Sequence, residues 1–116
     1  MAAVYVREVA DLSVEVERAD GSATVRLAGD LDKLTAPHFK RVLSGLVAEG
    51  CVKIVVDTAR LDFCDSSGLW VLVEHQRRAQ EGGGWLRLTG VQGVLRRVLD
   101  VTGLKAAFDS VLLGQV

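Results

Sequence analysis

The sequence is poor in the residues from which most catalytic and metal sites are built. It holds 2 histidines, 2 cysteines and 1 tyrosine in 116 residues. Cys51 and Cys64 do not form a CxxC pair, so the usual metal-ligand spacing is absent. They read as small buried apolar residues, and a reducing compartment would keep them as thiols. A redox role for Cys64 is the alternative, because of its neighbours. Aromatic residues make up 5% of the chain, too few for an obvious sugar-binding platform. No apolar run approaches the ~18 residues that a membrane span needs. Arg7 and Glu8 lie within the N-terminal stretch, which excludes a signal peptide. Neither sign of charge dominates: 14 basic residues face 15 acidic ones, for a net charge of −1. The basic residues are scattered, which argues against a nucleic-acid surface or a polybasic membrane patch. A soluble cytoplasmic protein is the expectation, with no direct nucleic-acid partner and no membrane insertion.

What is present suits one compact domain over residues 1–116. The chain is 49% hydrophobic and 25% charged, a balance that supports a core and disfavours disorder. Leu12–Arg18 and Ala23–Ala28 alternate apolar and polar residues, the period of half-buried strands. Asp20-Gly21 between them is a tight hairpin signal. Residues 1–11, with Val4, Val6 and Val9, form either an edge strand or a flexible arm. Gly29–Asp32 ends the second strand. Thr35 is a candidate N-cap, with Pro37 tolerated in the first turn. Ala36, Phe39, Val42, Leu43, Leu46 and Val47 then form one helical stripe that Gly50 stops.

Val52–Asp57 is short and almost wholly apolar, as expected of a central strand covered on both faces. A short loop is expected to lead from it to Asp65-Ser66-Ser67-Gly68. A second helix follows, with Leu69, Leu72, Val73, Gln76 and Ala79 inward and Glu74, His75, Arg77 and Arg78 outward. Gly82-Gly83-Gly84 ends it and lacks the G-K-[ST] of a phosphate loop. Trp85–Thr89 reads as a strand. Val91, Val94, Leu95, Val98 and Leu99 form a third helical stripe, closed by Thr102-Gly103-Leu104. Residues 107–116 suit a last strand or a short helix. The order is thus β β α β α β α. It implies an α/β fold with a mixed sheet and helices mainly on one face.

The chemistry concentrates at Ser66 and Ser67. Two hydroxyls stand at a helix start, where free N–H groups favour an anion. One reading has a serine capping the helix and Gly68 permitting close packing. The other has a phosphate on serine, adding about −1.5 to −2 charges. A hydrolytic serine would need a base within hydrogen-bond reach, and the loop lacks the G-x-S-x-G elbow. Asp32 and Asp65 both lie just beyond strand ends, so they can approach each other near Ser66. Trp70 lies one helical turn beyond Ser66. It is either an interface anchor or a ring folded over a neighbouring loop.

In order and spacing, several short motifs resemble the STAS domain. They are G-D-L-D at Gly29–Asp32, T-A-P at Thr35–Pro37, the V-x-I-V-V-D strand, F-x-D-S-S-G-L at Phe63–Leu69 and V-T-G-L at Val101–Leu104. Together they are similar to the bacterial anti-sigma factor antagonists over roughly residues 12–108. The resemblance implies a single STAS domain without catalysis or cofactor. It implies an anti-sigma factor serine kinase as partner, held by the unphosphorylated antagonist so that the sigma factor is freed. It further implies Ser66 as the phospho-acceptor, Ser67 as its supporting neighbour, Asp32 and Asp65 as acidic recognition positions, and a serine phosphatase that reverses the modification. The partner-binding set is Asp32, Asp65, Ser66, Ser67, Gly68 and Trp70. Three departures stand out: Cys64 where an apolar residue is usual, Trp70 where a small one is usual, and a short C-terminal tail. A non-phosphorylated STAS subunit of a membrane transporter, or of a sensory scaffold, is the alternative.

Overall fold

The alternating segments pair into the sheet on which the rest of the chain is built. A computed structural model of the protein describes residues 3–9 and 11–104. Its strands are β1 (Ala3–Val9), β2 (Leu12–Ala19), β3 (Ser22–Leu31), β4 (Lys53–Cys64) and β5 (Trp85–Thr89). The helices are α1 (Ala36–Ala48), α2 (Ser66–Glu81) and α3 (Gly93–Thr102). The five strands lie side by side in chain order. β1, β2 and β3 pair antiparallel, while β3, β4 and β5 pair parallel. The switch follows from the connections. A two-residue turn at Asp20-Gly21, with Gly21 at φ +69°, can only join antiparallel strands, whereas α1 and α2 are crossovers. The N-terminal segment is therefore an edge strand along residues 3–9. The candidate element at residues 107–116 lies outside the described residues.

The register explains why the helices cover one face. Val16, Val25, Val56 and Leu88 stand in one row across β2 to β5, and all four are buried. The adjacent row of Glu15, Arg26, Asp57 and Thr89 is only half-buried. Arg26 donates to Glu15 at 2.7 Å and to Glu17 at 3.0 Å on this open face. The expectation that the Val52–Asp57 strand is covered on both faces is therefore corrected. Val55 points to the open face, so a nearly continuous apolar run here is a strand with one buried side. β4 also runs seven residues past Asp57, so the expected loop before the serines is strand instead. The core side takes Phe39, Leu43 and Leu46 from α1, Leu69, Leu72 and Ala79 from α2, and Leu95 and Leu99 from α3. Full burial of a Phe or Leu contributes roughly 1.5–3 kcal/mol. Val91, expected in the third stripe, is buried ahead of α3.

His75 corrects a further expectation. It was expected on the outer side of α2, yet it is fully buried between α1 and α2. Its Nδ1 lies 2.8 Å from the Val71 carbonyl, which can only accept, so that nitrogen carries the proton. Nε2 then accepts from the Ser44 hydroxyl at 2.8 Å. Arg78 donates to Ser44 at 3.1 Å, so it is half-buried and does not simply point to water. Lys40 and Glu74 add an ion pair at 3.8 Å across the same helix contact. Among the described residues, no helix is long and apolar enough to cross a membrane.

Candidate functional site

The ends of two parallel strands place the acidic residues. Leu31 and Cys64 are the last paired positions of β3 and β4, and the Asp65 N–H donates to the Leu31 carbonyl at 3.1 Å. Asp32 and Asp65 are thus the next residues on neighbouring strands, and the structure brings them to the same end of the sheet. Two register shifts, at Arg26/Ala28 and Gly29/Asp30, bend β3 on its way there. Gly29 permits this bend. Its φ is +104°, and a Cβ would fall 2.1 Å from the Asp11 carbonyl oxygen. The Asp30 N–H donates to the same oxygen at 2.9 Å.

The loop after β3 is held by its own side chains. The Asp32 carboxylate accepts from the N–H groups of Leu34 and Thr35, at 2.9 and 3.1 Å. The Thr35 hydroxyl accepts from the Asp32 N–H at 2.9 Å and donates to the Asp30 carbonyl at 2.8 Å. Thr35 occupies the N-cap position of α1, but its hydroxyl makes no bond to the helix. The expected capping role is corrected: Thr35 ties the loop to the strand end.

The start of α2 also differs from the expected cap. Asp65, in extended backbone geometry, accepts from the N–H groups of Ser67 at 2.8 Å and Gly68 at 3.3 Å. Asp65 is the N-cap, and neither serine is. Ser66 is the first residue of the helix and is exposed, while Ser67 is half-buried. The Ser66 hydroxyl is therefore not consumed by capping. Gly68 has the packing role expected of it. A Cβ there would lie 2.4 Å from Leu31 Cγ, so only glycine lets α2 approach the β3 end this closely.

Apolar side chains surround this corner. Trp70 is 58% exposed, so its ring is not folded away. Leu34, in the Asp32 loop, is 74% exposed, and Phe63, opposite Asp30 at the β4 end, is 45% exposed. Sequence reasoning missed Leu34 and Phe63. The available signal was an apolar residue beside each acidic motif with no periodic stripe to join.

Cys64 is 2% exposed, and its thiol donates to the Asp65 carbonyl at 3.6 Å. Burial, reinforced by the Asp65 charge, pushes the thiol up to about 12. A thiol of that kind is not a nucleophile at neutral pH, so Cys64 packs beneath the site. Both cysteines are free and buried. His75 bonds Ser44 and not Ser66.

The chain is similar to known proteins in sequence and fold. The family model described as "Mlab, STAS domain" matches residues 14–114. An anti-sigma-B factor antagonist of Bacillus subtilis strain 168 is 31% identical over 104 residues, covering 85% of this chain and 90% of the relative. An anti-sigma F factor antagonist of Paenibacillus polymyxa is 32% identical over 95 residues, covering 81% of each chain. The crystal structure of an anti-sigma factor antagonist from Mycobacterium paratuberculosis has a TM-score of 0.75 at 26% identity, covering 89% of this chain and 92% of that one. With the matched model spanning nearly the whole chain and the mixed sheet in place, this protein belongs to the STAS-domain family, among the bacterial anti-sigma factor antagonists.

Proposed function

We propose that this protein is a cytoplasmic anti-sigma factor antagonist switched by phosphorylation of Ser66. The unphosphorylated form binds an anti-sigma factor serine kinase and so frees a sigma factor. Phosphorylation of Ser66 by that kinase releases the antagonist, and a serine phosphatase restores it. The protein acts by binding and not by catalysis. The observation that carries this reading is the division of labour at the start of α2. Asp65 caps the helix, which leaves the Ser66 hydroxyl exposed for modification.

The electrostatics support release without refolding. A phosphate on Ser66 would stand at a helix N-terminus, which favours negative charge. The helix itself therefore tolerates it. The N–H groups of Ser67 and Gly68, however, are already engaged by Asp65. The phosphate joins Asp65 and Asp32 as a third anionic group at one corner. Burying that cluster under a partner adds repulsion and desolvation. Weakening a complex from nanomolar to micromolar takes roughly 4 kcal/mol, within reach of an unpaired buried dianion. Asp32, Asp65, Ser67 and Gly68 shape the contact, and Trp70, Leu34 and Phe63 supply its apolar anchors.

The test is incubation with anti-sigma-type serine kinases and ATP, followed by mapping of phosphate by mass spectrometry. We expect one phosphate on Ser66, none on Ser66→Ala, and weaker kinase binding by Ser66→Asp. If no such kinase binds or modifies the protein while a transporter ATPase co-purifies with it, the transporter-subunit reading replaces this one.

A further inference from the structure

The sheet face that the helices leave open carries its charges in a fixed order. Two rows cross it from β2 to β5. One is Glu17, Thr24, Val55 and Arg87, and the next is Glu15, Arg26, Asp57 and Thr89. Arg87 is exposed and the other seven side chains are half-buried. Arg26 serves both Glu15 and Glu17, so β2 and β3 together keep a surplus of negative charge. On the other half of the face, Arg87 has no ion-pair partner among the described residues, and neither has Asp57. The Arg87 guanidinium lies over the Trp85 ring, 4.0 Å from its centroid. Stacking holds the group in place and leaves its N–H edge free for a carboxylate.

This order is self-complementary in one arrangement. Sheets packed face to face lie about 10 Å apart, a gap that a glutamate and an arginine reaching toward each other can span. A two-fold axis across the strands would set β2 on β2 of a second copy, carboxylates on carboxylates. An axis along β3 would set Arg26 on Arg26, and one along β4 would set Asp57 on Asp57. An axis between β2 and β3 would leave Arg87 unmatched and set Asp57 against Val6, which shares the Glu15 row. An axis along the strands between β3 and β4 sets β2 over β5 and β3 over β4. Glu17 then faces Arg87, Arg26 faces Asp57 and Thr24 faces Val55, each twice, as an isologous contact requires. Of these frames, it alone pairs opposite charges in both rows, and like charges penalise the others.

We propose that the open sheet face binds a second copy of this chain, with β2 of each copy over β5 of the other, so that Glu17 meets Arg87 and Arg26 meets Asp57 across the interface. A face of four strands is small and its pairs are charged, so the dimer is weak and sensitive to salt. The helices cover the opposite face, so the association is independent of the Ser66 switch and is tested apart from it.

The test is sedimentation velocity of the full chain from about 1 µM to about 1 mM, a range that spans weak association. A reversible monomer–dimer equilibrium is expected, with Kd at least tenfold higher at about 1 M salt than at about 0.01 M. Arg87→Glu and Glu17→Lys each set like charges together twice, so each should raise Kd at least tenfold. Mixed in equal amounts, the two variants should form a heterodimer of about the parent affinity, because both pairs are again opposite in charge. Amide shifts of the parent chain that move with its concentration should fall at Glu17, Thr24, Val55 and Arg87, a readout that does not depend on any variant folding. The proposal is overturned by a monomer throughout the range, by unchanged dimerisation of Arg87→Glu, or by folded variants that form no heterodimer. Concentration-dependent shifts confined to Leu34 and Trp70 would assign self-association to the other corner and also overturn it.

Discussion

At the residue scale, the site depends on which group caps α2. A serine at a helix start ordinarily reads as a cap, but here Asp65 takes that role and both serines lie inside the helix. The two jobs of Asp65, cap and charge, can be separated. Asp65→Ala should lower unfolding stability by about 1 kcal/mol, because it leaves two N–H groups without an acceptor. Asp65→Asn keeps a capping oxygen and should stay close to the parent stability. The same Asn variant removes one anion beside Ser66, so its phosphorylated form should retain more partner binding than phosphorylated wild type. Denaturant titration and a binding assay on the modified proteins check the two halves. An Asn variant that loses stability like the Ala variant would show that the charge itself carries the cap.

At the element scale, α1 and α2 are joined by a polar contact that sequence periodicity did not show. The wheel for α2 puts His75 on the outer side, yet α1 covers that side and seals the ring against Ser44. Burial lowers the His75 proton affinity first of all, and Arg78 and Lys40 add to the effect. The Val71 carbonyl and Glu74 act in the opposite direction. The native state therefore binds this proton less readily than the unfolded chain. Above about pH 6.5 both states are neutral at this position and the contact contributes fully. As pH falls below 6.5, the unfolded chain protonates first and stability declines until the lowered native value is reached. The slope cannot exceed about 1.4 kcal/mol per pH unit from one proton. Urea unfolding between pH 7 and pH 5 should show a steeper loss for wild type than for His75→Gln. Equal slopes would mean that His75 does not titrate differently in the two states.

At the scale of the whole molecule, one end of the sheet carries exposed apolar side chains beside two carboxylates and a free hydroxyl. Trp70 and Leu34 are more exposed than buried, so truncating them should cost the fold little. Trp70→Ala should change unfolding stability by no more than about 0.5 kcal/mol. It should weaken the anti-sigma partner by about 30-fold, the effect of removing a central aromatic anchor. Calorimetric binding to the partner, alongside a thermal melt, separates the two. A variant with full affinity would show that Trp70 is not part of the contact.

Local pattern and tertiary packing divided the work of specifying this protein. Alternation, the Asp20-Gly21 turn and the three helical stripes were enough for the order of the elements from Leu12 to Thr102, because these signals are set by side-chain period and turn chemistry. The phosphate-bearing candidate Ser66 and its acidic neighbours were also legible, since the motif order points to one family. What the sequence could not decide were facts that depend on a second element arriving. The length of β4 and its single buried face rest on where the helices pack, and the burial of His75 rests on α1 lying across α2. Period and motif act within a segment. The choice of Asp65 over a serine as the cap depends on the backbone angle at which β4 enters the helix, and only the folded chain fixes that angle.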